Sequence, residues 1–247
     1  MNTKALAALG LLGAGALTLY ACRDALGTSR RRSRRLPTHL RRGAEPMIPL
    51  VCTEITTEQV ESVTSQLAEL SGRRVTLLLH TLGGYFQPVV QIARAVRRHG
   101  QVRAVVPFYA LSGGTLVALA AQSLELWPHA ALGPVDPQLG PFSAAALRAV
   151  VDSKPVEHVD DYTLALAHEA RKSLHETTVL LRELIGDNPR ALRRLVAGEV
   201  PHAYPVTVEE AQALGLAVEV AAPDDNLRAL IQALAPKGRL TWPLVQQ

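Results

Sequence analysis

Between residues 75 and 127 the chain alternates apolar runs, glycine turns and amphipathic stretches, and this alternation restricts the fold more than any other feature. Residues 75–79 (VTLLL) read as a buried strand, and HTLGGYF follows. Residues 88–98 read as a helix with Val89, Ile92, Ala93 and Val96 on one face. A second strand is expected over 102–106, a helix of small and apolar residues over 116–121, and a short third strand over 124–127. Strand, glycine turn, helix, strand, turn, helix, strand is the order of a parallel α/β layer. Upstream, 49–52 (PLVC) is a short apolar run, and 54–70 has a helical pattern through Val60, Val63, Leu67 and Leu70. Downstream, 160–198 reads as two polar helices broken near Gly186-Asp187-Asn188-Pro189. Thr207 with Glu210 three residues on marks a helix start, Gly215 its end, 217–220 a final strand, and one short helix follows. With 247 residues, 48% of them hydrophobic, such a layer buries a core without staples. Two cysteines, Cys22 and Cys52, exclude a disulfide scaffold or a Cys-rich zinc module.

The net charge of +4 belongs to a leader. Nine of the 26 basic side chains lie in residues 1–44 against one acid, Asp24, which leaves 17 basic and 21 acidic side chains in 45–247. A nucleic-acid partner needs positive charge on the domain itself and is not expected. Residues 5–22 carry no charge, a length at the lower limit for crossing a bilayer. A retained single-pass anchor over 1–22 is the preferred reading. A cleaved signal peptide, or a lipoprotein box at LYAC (19–22), is the competitor. Seven arginines from Arg30 to Arg42 form a basic linker over 23–45 and place the body, 46–247, in the cytoplasm by the positive-inside rule.

Three segments put glycines and polar groups at the carboxyl ends of strands, where open α/β sheets bind ligands. Gly83-Gly84 lets backbone approach a substrate, or is an ordinary turn. In ALSGGT (110–115), Ser112 stands at a strand-to-helix junction with the Gly113 N–H beside it. This is the logic of a nucleophile elbow, although a serine there can equally be a helix cap. In LGPVDPQLG (132–140), Asp136 lies between two stiffening prolines, as an aspartate that orients a histidine would, or as a turn residue.

HTLGG, VPFYALSGGT, LGPVDPQLG and GEVPHAYPVTVEEAQALGL (198–216), in that order, resemble the serine dehydrogenase proteinase family, distant relatives of Clp protease and signal peptide peptidase A. Leu82 departs from the usual proline of the first block, Val200-Pro201 replace Trp-Thr, and Ala203 replaces Asp. The resemblance implies a ClpP/crotonase-like α/β fold, a spiral of β-α units. It implies Ser112 as nucleophile, oxyanion donors at Gly84 and Gly113, and a Ser-Asp-His chain order that makes Asp136 and His202 the partners. It also implies a peptide or protein substrate and a homo-oligomer.

Among the other histidines, His129 is the nearest competitor as base, and His80 flanks the glycine turn. A serine–lysine dyad, as in signal peptide peptidases, stays open through Lys172, whose bland reading is a solvated helix face. The expected activity is a membrane-associated serine peptidase that needs no cofactor or metal. No G-x-G-x-x-G follows a strand, so nicotinamide binding is not expected. The alternatives are acyl-thioester chemistry on the same fold and a non-catalytic scaffold.

Overall fold

A computed structural model describes residues 45–234. The anchor expected over 1–22 and nearly all of the linker lie outside them. No described helix is long and apolar enough to cross a membrane. Glu45, expected at the end of the linker, is already bonded into the fold: its carboxylate accepts from Thr76 Oγ1 at 2.5 Å and pairs with Arg103 Nε at 3.3 Å.

The centre is a five-stranded, all-parallel sheet. Its strands are β1 (Met47–Val51), β2 (Val75–His80), β3 (Val102–Val106), β5 (Ser123–Leu126) and β10 (Val218–Val220), adjacent in that order. β2, VTLLLH, is buried at every position, as a strand covered on both faces must be. Helix α1 (Thr57–Glu69) joins β1 to β2, and α2 (Phe86–His99) joins β2 to β3. The buried face of α2 is Val89, Ile92, Ala93 and Val96 with Pro88, and the helix stops at left-handed Gly100 (φ 75°). Helix α3 (Gly113–Leu119) packs on α2 and begins three residues before the expected start, because the turn at Ser112 enters it directly.

Three features were not legible in the apolar pattern. Helix α4 (Ala144–Asp152) follows a two-stranded hairpin, β7 (Gln138–Leu139) and β8 (Phe142–Ser143). A second, three-stranded sheet joins β4 (Tyr109–Ala110), β6 (Ala131–Leu132) and β9 (Val206–Thr207). Two-residue strands are too short to show a period. The expected polar pair is α5 (Asp161–Ile185) and α6 (Pro189–Val196). Asp160 caps the first, accepting from the Thr163 N–H at 2.9 Å, and Asn188 caps the second, with Pro189 in its first turn. Thr207 caps α7 (Val208–Ala213) by accepting from the Glu210 N–H at 3.3 Å, and α8 (Asp225–Leu234) closes the described chain.

Candidate active site

The small sheet assembles the site. β4 runs parallel to β6, and β6 runs antiparallel to β9, with Leu132 opposite Val206. Ser112 lies two residues past the end of β4. Asp136 stands four residues past Leu132 and His202 four before Val206, in the loops that leave this strand pair. Their side chains meet: His202 Nδ1 lies 2.7 Å from Asp136 Oδ1. A carboxylate only accepts, so Nδ1 carries the proton and Nε2 is left as the basic nitrogen. Asp136 is 2% exposed and His202 23%, so the acid is the enclosed partner.

The loop carrying Asp136 is pinned from three elements. Thr115 Oγ1 on α3 accepts from the Gly133 N–H at 3.0 Å and lies 2.8 Å from Ala110 O. The Val135 N–H donates to Leu195 O on α6 at 2.6 Å, and the Ala144 N–H at the start of α4 donates to Pro137 O at 2.8 Å.

Ser112 is the one non-glycine residue at positive φ among the described residues, with φ 50° and ψ −119°. A capping serine is extended and bonds the amides of the first turn. Ser112 does neither, because its side chain makes no cap bond. The capping alternative therefore fails, and the residue has the strained form of a strand-to-helix elbow, a conformation costing about 1–3 kcal/mol.

The glycine turn is pressed against this elbow. A Cβ on Gly83 (φ 115°) would come within 2.7 Å of Ser112 Cβ, so only glycine fits. Thr81 bridges to Ala110, and its hydroxyl accepts from the Gly83 N–H at 3.2 Å. On the other side Gly84 bridges to Ile55. That bridge runs through Gly83 O and the Tyr85 N–H, so it leaves the Gly84 N–H uncommitted. Gly113 is the first residue of α3 and its N–H has no intrahelical acceptor, whereas Gly114 and Thr115 turn back onto Leu111 O and Ser112 O. Two uncommitted amide N–H groups, from separate turns, thus line the same cleft as the Ser112 side chain.

Ser112, Gly84, Gly113, Asp136 and His202 line a single cleft of about 360 Å³. Ser112 and His202 share no hydrogen bond, although both line this cleft. Lys172 is not among the cleft residues. Its ammonium pairs with Glu169 at 2.7 Å on an exposed helix face, and Lys154 is exposed too. Neither lysine among the described residues lines the cleft. His129 is exposed, three residues past Leu126 of β5, and does not line the cleft. His80 stacks on Tyr109 at 4.2 Å between ring centroids, and burial holds its imidazole below the ordinary range. Burial also raises the Tyr109 phenol and the Cys52 thiol. No three His, Cys, Asp or Glu side chains among the described residues converge as a metal site requires. Sequence reading passed over Thr115, Thr81 and Gln138. Each acts through side-chain bonds to irregular segments, which no periodicity reports.

Residues 47–236 match the ClpP-like SDH-type serine proteinases. The chain belongs to that family. Two uncharacterized proteins of Methanocaldococcus jannaschii are similar to it: one is 37% identical over 179 residues, the other 34% over 156. The matches cover 69% and 60% of this chain but only 63% and 53% of those relatives. Among solved structures, ClpP1 from Listeria monocytogenes superposes with a TM-score of 0.51 at 17% identity, covering 73% of this chain and 94% of that one. A point mutant of the same ClpP1 matches equally. At that identity the likeness concerns the fold, a mixed α/β architecture on a parallel sheet.

Proposed function

We propose that this member of the family hydrolyses peptide bonds with Ser112 as nucleophile, His202 as general base and Asp136 as the carboxylate that orients it. The observation that carries this reading is the Ser112 elbow: a hydroxyl that caps no helix, held in a strained turn, lining one cleft with two uncommitted amide N–H groups and an Asp–His pair. In the reaction His202 Nε2 takes the serine proton as Oγ attacks the carbonyl, and the imidazolium that forms is stabilised by Asp136. The Gly84 and Gly113 N–H groups receive the oxyanion, a preorganised pair that costs nothing to orient during the step. His202 then gives its proton to the leaving amine, and water repeats the sequence on the acyl-enzyme.

The uncharged run over 5–22 is proposed to anchor the chain in a membrane with the body on the cytoplasmic side, and the fold to assemble as a homo-oligomer acting on peptides or proteins. The test is fluorophosphonate labelling of the full chain. Wild type is expected to label and Ser112→Ala not at all. His202→Ala should label about 100-fold or more slower, and Lys172→Ala at the wild-type rate. Absence of labelling in folded wild type would end the peptidase reading, and binding of a coenzyme A thioester in its place would favour acyl-thioester chemistry.

A further inference from the structure

Asp136 has two oxygens and two partners. Oδ1 faces His202, and Oδ2 accepts from Gln138 Nε2 at 2.9 Å, the same amide nitrogen lying 3.1 Å from Asp136 O. The carboxylate accepts only, which fixes the Gln138 amide with its nitrogen toward it. The backbone of Gln138 is held in turn, since it pairs with Ser143 in the β7–β8 hairpin and Ser143 caps α4. A carboxylate held at one oxygen pivots about its last torsion, whereas a second donor on the other oxygen fixes its plane.

We propose that Gln138 is the positioning residue of this site: its amide locks the Asp136 carboxylate so that Oδ1 presents itself to His202 Nδ1. The inference rests on the peptidase reading for its effect on rate, but the locking itself is independent of activity. Gln138 touches neither Ser112 nor the oxyanion donors by hydrogen bond; it acts through Asp136. It is itself exposed, so its replacement leaves the core intact. The titratable groups lining the cleft are Glu54, Tyr85, Asp136 and His202.

The experiment compares the full chain with Gln138→Leu, which has no donor at any pH, and Gln138→Glu, whose carboxyl donates only while protonated. Two readouts are taken: the downfield NMR signal of the His202 Nδ1 proton, and the rate of Ser112 labelling from about pH 5 to about pH 8. Gln138→Leu is expected to broaden or move the Nδ1 signal and to slow labelling about tenfold, with the urea midpoint unchanged. The rate of Gln138→Glu divided by that of Gln138→Leu should fall as pH rises and the new carboxyl loses its donor proton. Mere added charge does the opposite, because a second carboxylate raises the imidazole pKa and slows Gln138→Glu most at low pH. A rising or flat ratio, or a wild-type signal and rate in Gln138→Leu, overturns the proposal. If wild type does not label but the Nδ1 signal still responds to Gln138→Leu, the locking stands and the peptidase reading falls. If neither responds, both fall.

Discussion

Ser112 spends conformational energy to hold its hydroxyl at the mouth of the sheet, and neighbouring glycines make the space. At Gly84 the obstruction is backbone, because a Cβ there would overlap the Ile55 main chain. Gly84→Ala is therefore expected to displace one amide donor, lowering Ser112 labelling about 100-fold, the usual effect of losing one oxyanion contact. Labelling kinetics beside a far-UV spectrum separate that outcome from unfolding. His80 makes a prediction of another kind. Burial lowers its pKa in the folded chain, so the unfolded chain binds more protons at this site. Its contribution is complete above the unfolded imidazole pKa and is lost as pH falls below it toward the folded value. The Tm of wild type should fall between about pH 7 and about pH 5 more steeply than that of His80→Phe. Parallel slopes in a calorimeter would show that the ring titrates freely.

At the scale of elements, the short strands β4, β6 and β9 matter more than their length suggests, because each ends within a few residues of a site side chain. Thr115 ties two of these ends together from the first turn of α3. Thr115→Val keeps the shape but leaves the buried Gly133 N–H without its acceptor, a change worth about 1–3 kcal/mol. Urea denaturation should show that loss, and an unchanged midpoint would mean another group had replaced the hydroxyl. The larger elements were legible in the sequence for physical reasons that Thr115 does not share. α2 advertises itself by apolar residues at helical spacing, β2 by an unbroken apolar run, and α6 by an Asn cap with a following proline. A two-residue strand has no period to display. α4 went unread because a short, alanine-rich helix after an irregular loop carries little pattern.

For the molecule as a whole, the site draws on the ends of β1, β2, β4, β6 and β9, so no fragment of the fold contains it. Disrupting the sheet should therefore disperse it. In a urea titration, Ser112 labelling and far-UV ellipticity are expected to disappear together, in one transition. Labelling lost well before the ellipticity would show that the loop carrying His202 opens on its own.

The sequence by itself determined the α/β class, the order of the main strands and helices, and which residue types are available for acyl transfer, because periodicity, caps and glycine turns are local properties of the chain. Only the tertiary structure decided that Ser112 is strained rather than capping, that Lys172 belongs to solvent, and that Gln138 holds the second oxygen of Asp136. Those facts depend on contacts between segments far apart in the chain. His202 and Asp136 are 66 residues apart and meet in loops just beyond the paired ends of two short strands, which no local pattern encodes.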